Sequence, residues 1–80
     1  METYTVYILR SACGRHFYTG FTKNLPRRIH HHNIGGNPHT SKYRPWMLKT
    51  AIQFTDREQP LNFERYLKTA TGRAFAKKRL

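Results

Sequence analysis

Cysteine is all but missing from this 80-residue chain: Cys13 stands alone. An internal disulfide is therefore excluded, and so is any metal site built from several thiolates. Long apolar runs are missing too. None approaches the ~20 residues needed to span a bilayer, and Met1-Glu2-Thr3-Tyr4 lacks the basic start and apolar stretch of a signal peptide. The expectation is a soluble, cytoplasmic protein with no membrane association. Acids are scarce as well. Glu2, Asp56, Glu58 and Glu64 are the only four, against fifteen Lys and Arg, for a net charge of +11. So strong a field on so small a surface attracts polyanions and speeds their association.

What is present reads as one domain over residues 1–80, with no repeat, low-complexity stretch or second unit. A chain this short buries only about 60% of its unfolded surface. Tyr4 to Arg10 is rich in β-branched and aromatic residues and predicts a strand. Tyr4, Val6 and Ile8 point to one face, and Thr5, Tyr7 and Leu9 to the other. Ser11 to Arg15 predicts a hairpin turn and His16 to Phe21 the return strand. Gly20 marks a close backbone approach or a bulge. Both faces of this hairpin are partly apolar, so both should be covered.

Asn24 is a good N-cap and Pro26 suits a first helical turn. A helix is predicted from there to the Gly35-Gly36 stop. Its inward stripe is Leu25, Arg28, Ile29 and His32, so an arginine and a histidine sit where apolar side chains are expected. Asn37 to Pro45 reads as a loop. Trp46 to Phe54 reads as a third strand, with Met47-Leu48 and Ala51-Ile52-Phe54 as its apolar content. Asp56 with Gln59 has capping-box spacing for a second helix. The stripe of that helix, Pro60, Phe63, Glu64 and Leu67, also contains one misfit, a carboxylate. Thr71-Gly72 is read as a break, with Arg73 to Arg79 as a short basic tail helix.

These misfits suit one chemistry. An arginine fork can stabilise charge on a transferring phosphoryl group. One carboxylate can hold one Mg²⁺ together with water and phosphate oxygens. A tyrosine next to cations would titrate below its ordinary pKa of about 10 and serve as a base. Each residue also has a plainer role: strand aromatics are common, arginines beside a stripe reach water, and Glu64 can pair with Lys68 four residues on. His30-His31-His32 cannot converge on one ion, because consecutive helical residues point about 100° apart.

Val6-Tyr7-Ile8, Tyr18-Thr19-Gly20, Asn24-Leu25-Pro26-Arg27-Arg28-Ile29 and Glu64, in this order, resemble the motif set of the GIY-YIG nuclease superfamily. The small stand-alone bacterial branch is most similar. The resemblance covers essentially the whole chain. It extends to His32-Asn33, Arg44-Pro45-Trp46, Phe63-Glu64 and the tail from Tyr66 to Leu80, and it reaches the eukaryotic structure-selective endonuclease subunits. It implies an α+β fold, a three-stranded antiparallel sheet flanked by helices in the order β-β-α-β-α-α. It also implies Tyr7, Tyr18, Arg28, His32 and Glu64 as catalytic residues and Glu64 as the single metal ligand, for one Mg²⁺ or Mn²⁺. Phe21 stands where excision-repair members carry lysine, and Ala76 where they carry asparagine.

The expected activity is metal-dependent endonucleolytic hydrolysis of branched, damaged or single-stranded DNA, in repair or recombination. RNA is kept as a second polyanion. Lys23, Arg27, Lys42, Arg44, Lys68, Arg73, Lys77 and Lys78 are expected to grip the backbone of the nucleic acid. The alternatives are a non-catalytic nucleic-acid-binding module, or a subunit that needs a protein partner for activity or targeting. A monomer is favoured.

Overall fold

The computed structural model describes residues 2–80. Three strands, β1 (Tyr4–Ser11), β2 (Phe17–Thr22) and β3 (Trp46–Phe54), form an antiparallel sheet in the order β2-β1-β3. Three helices complete the fold: α1 (Leu25–Asn33), α2 (Glu58–Leu67) and α3 (Ala70–Arg79). The predicted α+β order is therefore the observed one. No helix among the described residues is long and apolar enough to cross a membrane.

β1 is the central strand, and its five residues Thr5 to Leu9 are all buried. The alternation of its side chains makes two small cores rather than one. Val6 and Ile8 pack with Leu67 of α2 on one face, joined by Phe21, Phe54, Phe63 and Ala76. Tyr7 and Leu9 pack with Trp46 on the other face, against Leu25 and Ile29 of α1. Burying a side chain of this size stabilises the fold by ~1.5–3 kcal/mol. A sheet covered on both faces is how so short a chain assembles enough apolar contact.

Asn24 caps α1 as expected, its side chain accepting from the Arg27 N–H at 3.2 Å. Met47 and Leu48, part of the apolar content of the predicted third strand, are exposed, at 61% and 46%. β3 is an edge strand, and the register between it and β1 slips at Ile8/Leu9. Trp46, Ile52 and Phe54 therefore take the inward positions. Gly72 is no break but lies buried inside the first turn of α3, which Thr69 caps by accepting from the Gly72 N–H at 3.1 Å. A Cβ at Gly72 would strike the Tyr66 carbonyl, so glycine is what lets α3 fold back tightly on the end of α2. The segment read as loop contains a short 3₁₀ turn, Ser41–Tyr43.

Candidate active site

Tyr7 leaves the central strand toward the α1 face, and its ring crosses Gly20 of β2, which pairs with it directly. A Cβ at Gly20 would collide with the Tyr7 hydroxyl and ring. The glycine predicted to mark a close approach therefore admits a tyrosine ring, and β2 carries no bulge there. Tyr7 is fully buried, as is His32 of α1, and the Tyr7 oxygen lies 3.1 Å from His32 Nε2. His32 Nδ1 lies 2.8 Å from Thr40 Oγ1. Thr40 donates to the Asn37 carbonyl at 3.4 Å, so it has only a lone pair left for His32. In the Nδ1–H tautomer, His32 donates to Thr40 and its Nε2 accepts from the Tyr7 O–H. The result is a directional chain, Tyr7 to His32 to Thr40 to the Asn37 carbonyl.

The electrostatics agree with this assignment. Burial pushes the Tyr7 phenol above its ordinary range, and the neighbouring Tyr18 adds to the rise. Arg28 pulls the other way from close range but does not win. The lowering expected from adjacent cations is thus overturned by desolvation, and Tyr7 keeps its proton at neutral pH. Burial, then Arg28 and His31, hold His32 below the ordinary histidine range, so its ring is neutral and free to accept.

Tyr18 of β2 stacks obliquely on this pair, with ring centroids 4.7 Å from His32 and 6.2 Å from Tyr7. Arg28 is exposed as a residue, yet its guanidinium acts on Tyr7 from the predicted stripe of α1. Glu64 of α2 is not turned to bulk water: its side chain is 19% exposed and close enough for its charge to bear on Tyr7. Its carboxylate meets Lys68 Nζ at 3.6 Å. Tyr7, Tyr18 and His32 thus contact one another, while Arg28 and Glu64 reach Tyr7 through their charge.

The eight predicted gripping cations are all exposed, but they do not share one surface. Lys23 and Arg27 line a cleft of about 600 Å³ beside Arg28 and His31. Lys68, Arg73 and Lys77 line a separate cavity. Arg44 lies over Gly35, and Lys42 and Lys78 border neither space. Two residues important to the site escaped the sequence reading. Thr40 orients His32 from a polar stretch without periodicity. Asn33 clamps Trp46, accepting from its N–H at 2.6 Å and donating to its carbonyl at 3.1 Å. That clamp fixes the end of α1 against β3, while the Trp46 indole N–H donates to the Thr40 carbonyl at 2.8 Å. The His32-Asn33 pair was the one available hint.

Comparison with known proteins agrees with this picture. The GIY-YIG catalytic domain matches residues 3–79, so the chain belongs to the GIY-YIG family. It is 46% identical over 69 residues to structure-specific endonuclease subunit SLX1 of Chaetomium globosum, covering 76% of this chain. The chain spans only 21% of that relative's length. It is 36% identical over 75 residues to a UPF0213 protein of Limosilactobacillus reuteri, covering 90% of this chain and 77% of that one. The solution NMR structure of a UPF0213 protein from Bacillus halodurans superimposes with a TM-score of 0.58 and 28% identity. That alignment covers 95% of this chain and 83% of the other. The domain is thus of a nuclease family, with the fold of the UPF0213 proteins.

Proposed function

We propose that the domain is an endonuclease that hydrolyses DNA phosphodiester bonds, acting on branched, damaged or single-stranded DNA in repair or recombination. The observation that carries this reading is the buried Tyr7–His32 pair at 3.1 Å, with Arg28 acting on the same phenol. In the reaction a water oxygen attacks phosphorus as its proton passes to the Tyr7 oxygen, which is fully buried in the free protein and would have to be uncovered when the substrate binds. The Tyr7 proton moves to His32 Nε2, and the imidazolium is held by the Nδ1–H bond to Thr40. Arg28 opposes that imidazolium in the free protein and favours the anionic phosphoryl oxygens in the transition state. The leaving oxygen takes a proton from solvent.

The donor set fits a hard divalent cation. Among the described residues no three His, Cys, Asp or Glu could share an ion, but Mg²⁺ is commonly held by one carboxylate plus water and phosphate oxygens. Glu64 would hold it, and the ion would stabilise charge on the phosphate and leaving oxygen. Lys68 would have to release the carboxylate first.

The test is nicking of labelled forked, single-stranded and duplex DNA with Mg²⁺ or Mn²⁺. Wild type should cut, while Tyr7→Phe loses roughly 10²–10⁴-fold, the span of acid–base contributions. Arg28→Ala should lose roughly 10²–10³-fold, the span for one charge-stabilising donor, and Glu64→Ala should lose cutting with either metal. Wild type that binds every substrate and cuts none would make the domain a binding module. Variants that cut like wild type would misplace the site. The 46% identity to a protein named as a subunit favours a second arm, in which a partner completes the activity. Protein co-purified at low salt, then cleared of bridging DNA, should in that case cut where the isolated chain does not.

A further inference from the structure

A cavity larger than the Arg28 cleft lies on the α2 and α3 side of the sheet, and neither the proposed chemistry nor the family resemblance uses it. It holds about 740 Å³, within the range of small-molecule sites. Its floor is apolar, with Ile8 and Leu67 buried and Ala76 half-buried. Phe17 stands at the wall, 55% exposed, with its ring open to a ligand. Around the floor four cations converge from three elements: Lys49 at the register slip of β3, Lys68 at the end of α2, and Arg73 and Lys77 one turn apart on α3. Among the described residues no Asp or Glu lines the cavity. Two of its residues adjoin the candidate active site, since Tyr18 stacks on His32 and Lys68 touches Glu64.

We infer that this cavity receives an unpaired nucleotide of a single-stranded nucleic acid, its base stacked on Phe17 over the apolar floor and its phosphates held by Lys49, Lys68, Arg73 and Lys77. An apolar floor with an aromatic wall and a wholly cationic rim matches a ligand that is flat and apolar in one part and anionic in the next. A base in duplex DNA cannot offer its face to such a recess, so the site selects unpaired strands by shape and charge, without reading sequence. Lys68, whose ammonium meets the Glu64 carboxylate at 3.6 Å, is a contact between this cavity and the candidate active site. The inference rests on the nucleic-acid reading above, and it adds the reason for a single-strand preference.

The experiment uses the full chain and fluorescein-labelled oligothymidylate of twelve nucleotides, with a duplex of equal length as control. Titrations are followed by anisotropy and by amide chemical shifts. Phe17→Ala should weaken oligothymidylate binding roughly tenfold, the scale of one lost base stack, and change duplex binding less than twofold. The amides of Thr19, Ala76 and Lys77 should shift with oligothymidylate. An Arg73→Ala, Lys77→Ala double variant should show the same selective loss, which keeps the test decisive if Phe17→Ala is poorly folded. Equal weakening for both ligands, or shifts confined to the Arg28 cleft, would overturn the inference. So would saturation of the cavity amides by anionic phospholipid vesicles but not by oligothymidylate. Nicking by a protein that fails this test would leave the nuclease reading intact, and selective binding without nicking would do the reverse.

Discussion

In the proposed mechanism Tyr7 and His32 carry the proton transfers, and their environment sets their protonation. His32 is fully buried, and its pKa lies below the ordinary value of about 6.5. Below pH 6.5 the unfolded chain binds a proton that folded His32 resists, so stability rises with pH through this window. The contribution is complete above pH 6.5 and fades as pH falls toward the depressed folded value. Urea unfolding midpoints measured from about pH 5 to pH 8 should therefore climb with pH in wild type and climb less in His32→Gln. Equal slopes would mean that His32 is no less basic folded than unfolded. The same burial explains what could be read from the sequence at this level. Arg28, His32 and Glu64 stand out because each interrupts an apolar stripe, whereas Tyr7 is marked only by the motif resemblance. Thr40 interrupts nothing, and its bond to His32 depends on a fold-back of eight residues that no periodicity records.

The strands and helices were legible where their ends are marked by local chemistry. Asn24 before Leu25-Pro26 is such a mark, and α1 starts there. Asp56 likewise accepts from the Gln59 N–H at 2.8 Å, although α2 itself begins at Glu58. β3 was harder, because the slip opposite Ile8/Leu9 changes which residues face inward and leaves no local signature. Gly72 shows the opposite failure. A glycine after threonine looks like a stop, but here the threonine caps and the glycine makes room. Gly72→Ala should consequently destabilise the protein, although alanine is the better helix former by about 1 kcal/mol. The added methyl meets backbone that cannot move without displacing α3, and overpacking of this kind costs ~1–3 kcal/mol. Thermal unfolding decides between these opposing effects: a lower midpoint supports the close approach, and a raised midpoint would mean that α3 has room to shift.

Charge acts over the molecule as a whole, and the fold has sorted it. A net charge of +11 is a property of the sequence, but its division between two sides of a sheet is not. Lys23, Arg27 and Arg28 border one cleft, while Lys49, Lys68, Arg73 and Lys77 ring the cavity on the other side. Some of these cations are already engaged. Lys23 lies 3.5 Å from Glu2 and Lys68 lies 3.6 Å from Glu64. The Lys23–Glu2 pair is exposed on both sides, so it is weak and yields to a phosphate. Arg27 and Arg73 have no such partner among the described residues, so each should release a counterion when single-stranded DNA binds. Each replacement by alanine should reduce the slope of log K against log salt by about 0.7. Lys42 and Lys78 are equally charged and equally exposed but border neither space, and their replacement should leave the slope nearly unchanged. Anisotropy titrations between about 50 and 200 mM salt separate the two cases. If all four variants lose the same slope, binding follows total charge, and the sorting of cations by the fold does not direct the nucleic acid.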